Sequence, residues 1–252
     1  MASLQENIQQ AIADFDSIKT AIEAKGVPVG EIPTSKYGEK INKILGGDIS
    51  VIRAFIERSF TELAIPEGTT QIANGVFNGY TDLSSITIPD SVTAIGSQSF
   101  AGSGVTEINL PSSITQIGSQ VFQGCQSLVK VAFNTESMQF SGSNGYMFYN
   151  CSKLKEIHNV PNFTGNGNPM GYFVTYSSNI EYLSVVKNFN MSGLNLSSSN
   201  KFTTETLVAI LENLADRTGL TGGYYITLGT ANLEKLTDEQ IAIATSKNWT
   251  IG

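Results

Sequence analysis

From Ser59 to Phe133 apolar and polar residues alternate in short bursts, and the bursts return at a steady interval. "LAIP", "ITIP" and "INLP" each run into a proline, at Pro66, Pro89 and Pro111, with spacings of 23 and 22 residues. Period-2 alternation predicts half-buried strands, with Ile86 and Ile88 facing inward and Ser85 and Thr87 outward. Proline ends each strand because it has no N–H to give a ladder. "SVTAIG" predicts a second edge, with Val92 and Ile95 inward and Gly96 turning the chain. A short helical turn is then expected to let Phe100 plug the interior.

The apolar positions also form columns. Phe77, Phe100, Phe122 and Phe148 keep the period, as do Leu83, Leu128 and Leu154. Tyr80, Cys125 and Cys151 share a third column, so Phe-x-x-Cys-x-x-Leu is one structural slot used repeatedly. A single unit of this length cannot bury its own apolar face. Stacked copies, roughly 4.8 Å apart along the strands, make one continuous core. Stacking leaves two readings of the cysteines open: buried thiols acting as small hydrophobes, or a disulfide between neighbours in one column.

"LSSITIPDSVTAIGSQSFAG" and "SSITQIGSQVFQGCQSLVKVAF" resemble the BspA-type leucine-rich repeat, the variant of surface proteins in oral and gut bacteria and treponemes. The resemblance is strong from Ser59 to Phe133. It weakens towards Val186, where "MFYNCSKLKEI" and "NIEYLSVV" keep the strand columns but lose the proline. It implies an α/β, β-rich fold: a right-handed, curved leucine-rich-repeat solenoid with a parallel sheet along one side. It also implies binding to proteins, host surfaces or matrix, without catalytic residues.

Three regions follow: 1–47 helical, 48–200 solenoid, 201–252 an α/β cap. In the first, Leu4, Ile8, Ala11, Phe15, Ile18 and Ile22 step as a heptad seam. The seam suits either a helix docked on its own chain or a coiled coil that makes a homo-oligomer, such as a trimer. A second short helix is expected through Tyr37, Ile41, Ile44 and Leu45, with a hinge at Gly46–Asp48. In the cap, Leu207, Ile210, Leu211 and Leu214 predict an amphipathic helix. "YYITLGT" is expected to extend the sheet, Thr237 and Gln240 have capping-box spacing, and "NWTIG" reads as a last strand. Both "AIEAKGVPVGEIPTSKYGEKINKI" and the segment from Thr206 onward resemble parts of phage and prophage tail-associated structural proteins.

Composition narrows the function. A net charge of −7 argues against nucleic acid, which needs a basic patch to displace counterions. Charged residues are only 15%, so uncharged polar side chains must cover much of the surface. No apolar run approaches a membrane span, and "MASLQENIQQ" lacks the basic-then-apolar start of a secretory signal. Two cysteines and one histidine make no metal framework, and no cofactor is expected.

The outward positions of the first strands are the principal candidate site: Glu62, Ala64, Ser85, Thr87, Glu107, Asn109, Lys130, Ala132, Glu156, His158, Tyr182, Ser184, Tyr225 and Thr227. They suit either a carbohydrate or protein ligand, or a face kept polar for solubility. His158 has neither a nucleophile nor a second base predicted beside it, so it reads as a surface residue. Glu107 lacks an acidic partner in the adjacent strand, which argues against glycoside hydrolysis. "GNGNPMG" lacks the Lys-Ser/Thr of a phosphate loop, although the wider "FTGNGNPMGYFVTY" remains a candidate binding loop. These readings point to a non-enzymatic virion protein of a phage or prophage, a tail fibre or tip. It would contact other virion proteins through its helices and a host surface glycan or protein through its solenoid. The alternative is a bacterial cell-surface adhesin.

Overall fold

The computed structural model describes residues 61–252, apart from Pro66, Ser143, Asn144, Asn166, Gly167 and Gly171. The seam Leu4, Ile8, Phe15, Ile18 and Ile22, the second helix and the glycine hinge lie outside the described residues.

Each repeat contributes two short parallel strands. The first ladder begins with β1 (Glu62–Ala64) on β3 (Ser85–Thr87). It continues as a four-stranded sheet of β5 (Glu107–Leu110), β7 (Lys130–Phe133), β9 (Glu156–Val160) and β11 (Tyr182–Val185). The Thr106 amide donates to the Ser84 carbonyl (3.0 Å), linking these two parts just before β5. The second ladder runs through β2 (Gln71–Ile72), β4 (Ala94–Ile95), β6 (Gln116–Ile117), β8 (Ser137–Phe140) and β10 (Asn162–Thr164). Parallel strands therefore flank the interior on two sides of each repeat: the second edge expected at "SVTAIG" is β4, with Ile95 buried, and it belongs to a second parallel ladder beside the one sheet that the resemblance implies. The fold is a leucine-rich-repeat solenoid.

The phenylalanines line up as the period demands. Phe77, Phe100, Phe122 and Phe148 stack at 5.3, 5.5 and 5.5 Å, nearly parallel. The segment that carries them is a set of tight turns, where a helical turn was expected. Left-handed backbone at Gln98 (φ 57°) and Gly102 (φ 65°) is incompatible with helix. The freed amides bond forward instead: Phe77 N–H reaches Ser99 O (2.7 Å) and Phe100 N–H reaches Val121 O (3.0 Å). In the next repeat along, Val174 takes the phenylalanine slot, and Phe173 meets Phe148 edge-on at 5.2 Å.

The third column has a hydrogen-bonding role. The Cys125 thiol donates to Phe100 O, the Cys151 thiol to Phe122 O (both 3.0 Å), and the Ser177 hydroxyl to Phe148 O (2.6 Å). Phe100 O and Phe122 O also accept from the amides of Ser103 and Cys125, so each thiol adds a second bond, whereas the Ser177 hydroxyl takes the place of that amide at Phe148 O. Both cysteines are free thiols, so the buried-thiol reading holds and the disulfide does not form. Burial pushes Cys125 up to about 11 and raises Cys151 as well, with Cys125 beside it adding to the rise.

One local expectation changes. The repeat at β9 does not lose its proline: Pro161 follows Val160. Asn159, at φ 56°, inserts one extra residue and shifts the register with β11 between Leu183 and Val185. Asn134 takes the proline position after β7, where its Nδ2 donates to Leu110 O (2.9 Å) and Asn109 Oδ1 (2.8 Å).

The cap begins with α1 (Thr204–Asn213), whose Leu207, Ile210 and Leu211 are buried, with Leu214 just beyond. Lys247 Nζ donates to the carbonyls of Leu211, Glu212 and Leu214 at 3.2, 2.6 and 3.0 Å, closing the C-terminal end of that helix. After α2 (Thr230–Leu233), α3 (Asp238–Thr245) carries the expected capping box between Thr237 and Gln240. β13 (Tyr224–Thr227) does not extend the first ladder. It lies between β12 (Leu194–Asn195) and β14 (Trp249–Ile251) in a separate parallel sheet. The physical reason is that α1 packs against β11, and the strand emerging after α1 joins β12.

Candidate recognition surface

Alternation along the first ladder turns every second side chain to solvent. Glu62, Ser85, Thr87, Glu107, Asn109 and Tyr182 are exposed, while Lys130, Glu156 and His158 are half-buried against one another. Register assembles the row Glu107, Lys130, Glu156, Tyr182 and a second row Asn109, Ala132, His158. Glu62 pairs with Ser85, and Ala64 with Thr87. Tyr225 and Thr227 do not join them, because β13 belongs to the cap sheet.

The centre of this face is the Glu156 carboxylate. His158 Nε2 lies 2.9 Å from Glu156 Oε2, and Lys130 Nζ lies 3.3 Å from the same oxygen. The bond to His158, then the bond and charge of Lys130, hold Glu156 below the usual carboxylate range. The His158 ring tilts against Tyr182 at 4.7 Å. His158 is therefore a positioned member of a polar cluster, more constrained than a plain surface histidine.

A general acid at neutral pH needs a raised pKa, and Glu156 is shifted the other way. Lys130 stands between Glu107 and Glu156 in register, so the two carboxylates do not form an acid pair. The face offers fixed donors and acceptors on a rigid, solvent-facing ladder, which suits holding a partner.

A second exposed surface lies on the turns that carry the phenylalanine stack. Tyr146 stacks on Tyr172 at 4.6 Å, and Tyr149 meets both Tyr146 (5.4 Å) and Tyr176 (5.2 Å) edge-on. Tyr172 and Tyr176 are 54% and 65% exposed. The sequence alone reads "FTGNGNPMGYFVTY" as a loop inserted between repeats and a candidate for binding, and does not join its tyrosines to those two dozen residues earlier. The missed signal is positional: Tyr146 and Tyr172 occupy the slot of Gln98 and Gln120.

Residues 52–168 match the family model of the BspA type leucine rich repeat region, in six copies. Among solved structures, a leucine-rich-repeat protein of T. pallidum is 18% identical over 77% of this chain and 86% of its own, with a TM-score of 0.51. A leucine-rich-repeat protein from Bacteroides ovatus is 17% identical over 57% of this chain and 43% of its own, TM-score 0.38. A leucine-rich cell-surface protein from Faecalibacterium prausnitzii is 15% identical over 76% and 64%, TM-score 0.33. The likeness to the T. pallidum protein is one of fold. No curated protein matches the chain.

Proposed function

We propose that this solenoid of BspA-type repeats is a non-enzymatic recognition protein of a bacterial cell surface, an adhesin. The six-copy repeat match over residues 52–168 carries the proposal. The first-ladder face adds to it: the row Glu107, Lys130, Glu156 and Tyr182, with His158 beside it, points away from the core at the regular spacing of the ladder. A lowered Glu156 beside Lys130 favours binding over proton transfer.

Antibody labelling of intact cells of the source bacterium tests the assignment. Labelling of unpermeabilised cells supports it. Recovery of the chain in purified phage particles by mass spectrometry, with no signal on intact cells, would overturn it. That outcome would favour the tail-protein reading suggested by residues 21–44 and 206–252. In either setting the heptad seam from Leu4 to Ile22 would drive self-association, and sedimentation of the full chain against a Phe15→Glu variant reads that directly.

A further inference from the structure

The turns between each second-ladder strand and the next first-ladder strand form a third side of the repeats. Two slots on that side have left-handed backbone in successive repeats. The first holds Gly75, Gln98, Gln120, Tyr146 and Tyr172, with φ of 65, 57, 59, 42 and 56°. The second holds Gly79, Gly102, Gly124, Asn150 and Tyr176, with φ of 71, 65, 71, 58 and 62°. Glycine and asparagine enter this conformation readily, whereas a bulky residue there is strained. The early repeats fill the slots with Gly and Gln. The later ones place tyrosines there, and those rings join Tyr149 in one aromatic surface.

Burial does not account for Tyr172 and Tyr176, since more than half of each faces water. Strained backbone that presents exposed aromatics is a mark of a binding position.

Charge decides the occupant. No Asp, Glu, Lys, Arg or His occurs between Glu136 and Lys153, or between His158 and Glu181, and all four tyrosines lie in those stretches. In a chain with 15% charged residues this is a distinctly neutral zone. Nucleic acid needs cations there, and protein interfaces commonly set Arg among their aromatic anchors. A neutral sugar needs neither. The C–H bonds on the flat face of a pyranose rest against the negative face of an aromatic ring, and phenolic hydroxyls bond the sugar hydroxyls at its edge.

We propose that the Tyr146, Tyr149, Tyr172 and Tyr176 surface binds a neutral polysaccharide, with pyranose rings stacked on Tyr172 and Tyr176. This surface is distinct from the first-ladder face, and purified protein tests it wherever the chain resides.

The test is affinity electrophoresis of the full chain through gels containing laminarin, yeast mannan, glucomannan, arabinoxylan or pullulan, with heparin and polygalacturonate as charged comparisons. Retardation by at least one neutral polymer, unchanged by added salt, is the expected result. Tyr172→Gln and Tyr176→Gly install the residues of sister repeats, so the fold should be retained, which a thermal melt checks. Together they should weaken binding about tenfold or more, the loss of two stacked rings. Tyr172→Phe with Tyr176→Phe should stay within about threefold of the parent, because stacking is kept. Three outcomes overturn the proposal: no retardation by any neutral polymer, retardation that survives the Gln/Gly double variant, or binding to the charged polymers alone.

Discussion

In the repeats before Phe133 the two left-handed turn slots hold Gly75, Gln98, Gln120, Gly79, Gly102 and Gly124. In the later repeats they hold Tyr146, Tyr172, Asn150 and Tyr176. Across the same boundary the interior hardly changes. Phe100, Phe122 and Phe148 continue one stack, and Cys125, Cys151 and Ser177 bond the carbonyls of the phenylalanines one repeat back. The difference follows from what each slot touches. An interior side chain meets the repeats on both sides, so a change is felt twice. An exterior side chain such as Tyr172 or Tyr176 touches a neighbouring repeat on one side and faces water over more than half its surface, which leaves it free to carry recognition.

Removing one ring from the stack gives the largest contrast. Phe122→Ala, fully buried between Phe100 and Phe148, should destabilise the protein by about 3–5 kcal/mol in urea unfolding. Tyr172→Gln, in the exterior slot two repeats on, loses only the stacking with Tyr146 and should cost about 1 kcal/mol or less. Equal losses would dissolve the distinction between interior and exterior.

Alkaline pH probes the third column next. Cys125 holds its proton more tightly when folded, up to about 11 against an ordinary 9.0. A raised folded pKa gives stability that is complete below pH 9 and is lost as pH climbs through 11. The loss should reach about 2 kcal/mol by a pH of about 10.5. Cys125→Ser keeps a donor for the Phe100 carbonyl, as Ser177 does for Phe148, and should reduce the slope to the share that Cys151 contributes. Denaturation curves of parent and variant at the two ends of that range read the difference. A parent slope no steeper than the variant's would remove the thiol from the account.

Much of this architecture was legible because its constraints repeat. The Phe, Leu and Cys columns gave the stacking axis, and period-2 alternation placed Glu62, Ser85, Thr87, Glu107, Asn109, Lys130, Glu156, His158 and Tyr182 on the outer face. What escaped depends on single residues or on long-range pairing. Asn159 adds one residue and hides the proline at 161 from a strict count. Tyr225 alternates correctly within its own strand, yet its strand pairs with β12, a choice that alternation cannot encode. The tyrosine surface stayed hidden because its slot is defined by backbone angle, and Gln98 and Tyr146 look unrelated by side chain.

Ser99 offers a sharper and smaller test of the interior. It occupies the slot filled by Val121 and Met147 in the next repeats, and its buried hydroxyl finds no hydrogen-bond partner among the described residues. Ser99→Val restores the residue type of the sister slots. It should raise stability by about 1 kcal/mol, seen as an upward shift in the thermal midpoint. A loss instead would mean that the Ser99 slot is narrower than its neighbours.

The smallest expected effect is the most telling for the exterior. Tyr176 sits at φ 62°, where an L-residue with a side chain costs about 1–2 kcal/mol relative to glycine. Glycine returns part of that gain, about 0.4–1 kcal/mol, as extra freedom of the unfolded chain. Losing the edge contact with Tyr149 at 5.2 Å removes about 0.5 kcal/mol more. These terms nearly cancel, so Tyr176→Gly should leave the unfolding free energy within about 0.5 kcal/mol of the parent. An aromatic ring deleted from Phe122 and one deleted from Tyr176 would then differ several-fold in cost within one solenoid. A loss above about 1.5 kcal/mol for Tyr176→Gly would show the ring acting as cladding for the stack beneath it. Its exposure would then need no ligand to explain it.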